Sequence, residues 1–132
     1  MTRTHAAPVT DRSASTILAV RAAAAASVLV LLWQFLSAGR LLSQSGAVDA
    51  HGTGAIVLHG VAVLLVGATA LHARAGGARW PVVVSAAVLG AGFLQAALGS
   101  AGNMTAHLPG ALVLTVGTVW VTAWAFQDRS RG

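Results

Sequence analysis

Four uncharged apolar runs, at 22–39, 52–73, 82–101 and 108–126, dominate the chain. Each is close to the roughly 20 residues that a helix needs to cross a bilayer core about 30 Å thick. In hydrocarbon every backbone amide must find its partner within the protein, so runs of this length fold as helices that pack on one another. Only 8% of the 132 residues are charged and 56% are hydrophobic, whereas about 25% of a soluble domain is charged. The expectation is an all-α integral membrane four-helix bundle over residues 15–127, with helices at about 15–40, 52–74, 80–101 and 107–127. Residues 1–14 read as a disordered cytoplasmic tail and 128–132 as a second short one.

All eight basic residues are Arg. With the N-terminus inside, Arg3, Arg12, Arg21, Arg74, Arg79, Arg129 and Arg131 share the cytoplasmic side and Arg40 alone lies opposite, the asymmetry that orients membrane helices. They stand singly, without the clustered basic face of a nucleic-acid binder. Reading the first run as a cleaved signal sequence is the alternative, with Ser37, Ala38 and Gly39 as the small residues of a cleavage site; the run exceeds the usual signal core of about 7–15 residues. Pro81 and Pro109 read as helix-starting prolines. With no cysteine there is no disulfide or thiolate metal site. The only acids, Asp11, Asp49 and Asp128, lie outside the apolar runs, so paired-carboxylate chemistry has no residues to use.

The second and fourth runs repeat. Ala50-His51-Gly52-Thr53-Gly54-Ala55-Ile56-Val57-Leu58 aligns without a gap on Ala106-His107-Leu108-Pro109-Gly110-Ala111-Leu112-Val113-Leu114, and Gln34 on the first helix answers Gln95 on the third. The unit is a helical hairpin, and two hairpins that enter the membrane in the same sense are related by an axis along its normal. That axis puts His51 and His107 at equal depth on helices two and four. Residues three and four positions on share the face of each His, here Gly54 and Ala55, then Gly110 and Ala111. Such small faces suit a close helix approach or a flat ring between helices, and a ring held by two axial histidines, haem b, needs the latter.

The run Leu94-Gln95-Ala96-Ala97-Leu98-Gly99 followed by Met104-Thr105-Ala106-His107 resembles the third-to-fourth helix segment of the haem A synthase family, and Ala50-His51 followed by Gly54 resembles its second-helix histidine. The same Gln-His-Gln-His order is similar to that of small four-span bacterial membrane proteins. The resemblance covers roughly residues 34–114. It implies a four-helix half-module in the bacterial cytoplasmic membrane, with His51 and His107 as a haem-ligating pair at the outer ends of helices two and four. The chain departs from the family in having one bundle rather than two, no cysteine pair and no glutamate in the first outer loop. It is therefore not read as an enzyme on its own.

Around the pair, Gln34, Gln95 and Arg40 are candidates to bond a haem propionate or orient an axial ligand, set against interhelical glue for the glutamines and snorkelling for the arginine. His59 is a secondary candidate, as a relay or as a group supporting a ligand. Met104 has no repeat partner, the Asn103-Met104-Thr105 sequon hugs the membrane, and His72 and His5 read as solvated. The function expected is haem b binding in electron transfer or haem handling, in the lipid bilayer, alone, as a homodimer or beside a respiratory membrane partner. The alternative is a cofactor-free structural or assembly subunit of a larger membrane complex.

The topology is checked with single cysteines at Ser45, Gly76 and Asn103 in the otherwise cysteine-free chain. A membrane-impermeant outside reagent is expected to label positions 45 and 103 and spare 76; the reverse pattern overturns the orientation.

Overall fold

The computed structural model describes residues 9–43 and 48–127, with side chains from residue 14 onward. Four helices follow one another, α1 (Val9–Ser43), α2 (Val48–Arg74), α3 (Trp80–Ser100) and α4 (Met104–Phe126), and no strand occurs among the described residues. Each is long and apolar enough to span a membrane. Leu36, Ile56, Val83 and Val113, one from each helix, are 67–75% exposed, a surface suited to lipid and costly in water. The chain is a multi-pass membrane bundle.

Antiparallel neighbours close a square in chain order: α1 packs on α2, α2 on α3, α3 on α4 and α4 back on α1. Across the diagonals no Cα of α2 comes within 8 Å of α4, nor of α1 within 8 Å of α3. Two connectors share one design. At the end of α2 the Gly77 amide donates to the His72 carbonyl at 2.9 Å and Gly76 to Ala73 at 3.2 Å; at the end of α3, Asn103 donates to Leu98 at 3.0 Å and Gly102 to Gly99 at 3.0 Å. Both are Schellman closures, which need a left-handed residue, and Gly76 (φ 92°) and Gly102 (φ 71°) supply it. Asn103 then accepts from the Ala106 amide at 3.2 Å and caps α4.

Helix starts differ from the sequence reading in an instructive way. α1 reaches back to Val9, so the last residues assigned to a tail are helical; the stretch 9–14 contains neither Gly nor Pro to stop propagation. Residues 1–8 and 128–132 lie outside the described set. α4 begins at Met104 because Asn103 caps it there, which leaves Pro109 inside the helix rather than at its start.

The bundle is packed at one end and hollow at the other. Val20, Ala24, Leu65, Ala68, Val121, Trp124 and Ala125 form the buried core, near the ends of the helices that carry His72 and Trp80. Trp80 stacks on Trp120 at 5.0 Å and meets Trp124 edge-on at 5.5 Å. Arg21 is tied there, its Nε–H donating to the Ala125 carbonyl at 2.8 Å. His72 is not solvated as the sequence suggested. It is 2% exposed, with Nδ1 3.0 Å from Thr16 Oγ1 and its ring edge-on to Trp124, because α1 and α4 fold over the position on α2.

Glycine substitutions report this asymmetry. A Cβ at Gly77 falls on the His72 imidazole, whereas at Gly67 nothing lies within 4 Å. Gly77→Ala is expected to destabilise the bundle by about 1–3 kcal/mol through overpacking, and Gly67→Ala to be neutral or to gain up to about 1 kcal/mol of helix propensity, read by unfolding in detergent. Equal stability of the two variants contradicts the packing.

Candidate cofactor site

His51 and His107 occupy the same register: each is the fourth residue of its helix, α2 and α4. The two helices are diagonal in the square, and both imidazoles line one cavity of about 140 Å³, smaller than the roughly 300–1,000 Å³ typical of small-molecule sites. Gln34, Gln95 and His59 line the same space. Below the pair its walls are mainly apolar, among them Leu31, Leu58, Val88, Leu89 and Leu114.

Each histidine of the pair is held by the helix that precedes it. His51 Nδ1 lies 3.0 Å from Ser37 Oγ, and the Ser37 hydroxyl donates to the Gln34 carbonyl at 3.0 Å. With its proton on that carbonyl, Ser37 Oγ is able to accept from a protonated His51 Nδ1. His107 Nδ1 lies 2.9 Å from the Gln95 backbone carbonyl, to which a protonated Nδ1 donates, and 3.0 Å from the Gln95 side-chain amide, from which a bare Nδ1 accepts. His59 repeats the pattern within its own helix, Nδ1 donating to the Ala55 carbonyl at 2.7 Å. With Nδ1 protonated, each of the three imidazoles keeps a lone pair on Nε2, the arrangement in which a histidine ligates a metal.

The glycines do something other than face a ring. A Cβ at Gly54 would meet Trp33 and Gln34, and one at Gly110 would fall on the Gln95 amide. Neither lines the cavity, whereas Ala55 and Ala111 do. Each glycine admits the glutamine of the preceding helix: Gln34 beside Gly54, Gln95 beside Gly110. Oriented to satisfy its neighbours, the Gln95 amide donates to the His107 carbonyl at 3.0 Å and accepts from the Ala111 amide at 3.1 Å, bridging α4 beside Pro109. Gly99 makes room in the same way for the His107 ring, whose Cε1 would lie 2.9 Å from a Cβ there.

No protein-family model, characterised protein or solved structure matches this chain. The site is therefore judged on its own chemistry. Among the described residues no group of three or more His, Cys, Asp or Glu is placed to hold a metal ion, and a closed zinc site wants four such ligands. The two imidazoles that line the cavity from α2 and α4 are too few for such a site. Arg40 is exposed and outside the cavity lining, and Met104 is 46% exposed and outside it too. His59 lies deeper, its ring 4.5 Å from Phe93 and its Nε2 buried beside Gly92 without a hydrogen-bond partner. Sequence reasoning missed Ser37 and Gly99. Both stand three or four residues after a repeated glutamine, one turn on along the same helix face, and that spacing was the available signal.

The tautomers are open to direct measurement. In ¹⁵N-histidine-labelled protein, above the imidazole titration range, His51, His59 and His107 are expected to show a protonated Nδ1 and a bare Nε2. A protonated Nε2 at His51 or His107 removes the ligating arrangement.

Proposed function

We propose that the cavity holds one haem b with His51 and His107 as its axial ligands, and that the bundle serves electron transfer or haem handling in the membrane. The observation that carries this reading is the pair itself: two imidazoles from diagonal helices, in matching register, line one cavity, each with Nδ1 beside an oxygen that can accept from it. When bound, haem b supplies a one-electron couple. The residues of the chain do the remaining work. Ser37 and the Gln95 carbonyl fix the two rings and favour Nε2 as the ligand atom. Leucine, valine and alanine walls exclude water and solvate the flat apolar part of the ring. Gln34 and Gln95 stand at the level of the pair, where a propionate would need donors, and the exposed Arg40 lies at the same end of α1.

On this reading both termini face the cytoplasm, the histidine end faces outward, and the membrane is the bacterial cytoplasmic one. A homodimer or a respiratory partner would meet the lipid-facing surface, since the cavity is lined by this chain's own four helices. The axial ligands come from two helices that do not touch, so each is separately necessary.

The test is expression with haem available, followed by reduced-minus-oxidised spectra of wild type, His51→Ala, His107→Ala and His59→Ala. A low-spin spectrum is expected in wild type and His59→Ala, and its loss or conversion to high spin in either of the other two. A stable wild-type bundle that takes up no haem transfers the case to the structural-subunit reading.

A further inference from the structure

Below the histidine pair the cavity has polar groups of one kind. Ser27 donates its hydroxyl proton to the Ala23 carbonyl at 2.9 Å, Ser85 to Pro81 at 2.7 Å, Thr115 to Ala111 at 2.8 Å and Thr118 to Leu114 at 2.9 Å. Thr69 lies 3.0 Å from Ser85, but its own proton has the Leu65 carbonyl at 2.9 Å as an outlet. Whichever way that pair is arranged, Ser85 has no proton to spare. His59 adds a bare Nε2, covered by Gly92 and the Phe93 ring. These lining groups are all acceptors.

Three of them form a floor. Ser27 of α1, Ser85 of α3 and Thr118 of α4 line the cavity and are 2%, 2% and 4% exposed. The packed core begins beside them, with Ala24 three residues from Ser27 and Val121 three residues from Thr118. Lone pairs held in an apolar chamber favour a ligand that brings a proton. No acid stands in the chamber to balance a cation, so the donor must be neutral. On α1, beside Gln34, Phe35 lines the cavity while 51% exposed, so the cavity wall there is also lipid-facing surface.

We propose that the deep half of the cavity is a binding site for an apolar ring compound of the lipid phase bearing one hydroxyl, of the phenol class, whose O–H donates to the floor formed by Ser27, Ser85 and Thr118. The site is distinct from the histidine pair. Ser27 and Thr118 line the chamber from α1 and α4, adjacent helices, and Ser85 lines it from α3. The apolar walls take the ring, and the floor selects the hydroxyl.

The probe is 1-naphthol, with 1-methylnaphthalene as the isostere lacking a donor, titrated into haem-free full-length protein in nanodiscs and corrected for partition into empty nanodiscs. Naphthol is expected to bind about five- to tenfold more tightly, the contribution of one hydrogen bond. In Ser27→Ala/Thr118→Val, which leaves the Thr69–Ser85 pair intact, the ratio is expected to fall towards one. In wild type the ¹³Cβ resonances of Ser27 and Thr118 should move further at saturation with naphthol than with methylnaphthalene, a readout independent of variant folding. A wild-type ratio near one, a ratio unchanged in the double variant, or resonances that move no further with naphthol overturns the proposal. Because haem is absent throughout, its failure leaves the bis-histidine reading standing, and the converse holds.

Discussion

Close packing at the tryptophan end sets the shape of everything else. Val20, Ala24, Leu65, Ala68, Val121 and Ala125 are small or branched side chains that bring four helices together, and Trp124 fills the remaining volume. Lipid does not drive helices together as water does, so association rests on such van der Waals contact and on polar links between helices. Clamped at one end and spaced by histidines and glutamines at the other, the square opens into a cavity that no single helix could define.

Polar groups in this bundle are managed by local means. Serine and threonine hydroxyls return to their own carbonyls, a common device in apolar surroundings, and the histidines place Nδ1 on a neighbouring acceptor. The result is a cavity with abundant lone pairs and few protons. Apart from the Gln34 and Gln95 amides, such a lining suits Lewis acids and hydroxyl donors, the ligand classes proposed for its upper and lower halves. The division falls between the pair and the serine-threonine floor. His59 lies between them, eight residues beyond His51 and so about 12 Å further along the helix axis.

Much of the fold was legible in the sequence because bilayer thickness imposes a length on apolar runs, and four such runs leave few arrangements. The repeat located the histidine pair at matching register, since a gapless match over Ala-His and Gly-Ala is hard to produce from aliphatic bias alone. What the repeat does not encode is direction around the helix. Gly54 and Gly110 share a sequence face with their histidines, yet a difference of one residue turns a side chain by about 100°, and this puts the glycines against Gln34 and Gln95 while the alanines line the cavity. His72 was misread for a related reason. Proximity to Arg74 suggested water, but burial is decided by Thr16 and Trp124, which are remote in sequence. Helix starts moved because one capping side chain, Asn103, outweighs a proline five residues into α4.

Asn103 also closes α3, so a single residue ends one helix and begins the next. A hinge needs residues whose dihedral angles are free to change, and here Gly102 and Asn103 are both committed, one by its left-handed turn and the other by bonds on its backbone and side chain. The α3–α4 hairpin thus behaves as a rigid fork that delivers His107 at a fixed angle. Rotation of α4 about its axis would break a Schellman closure and a cap together. A change in the direction from which His107 enters the cavity therefore has to break those bonds first.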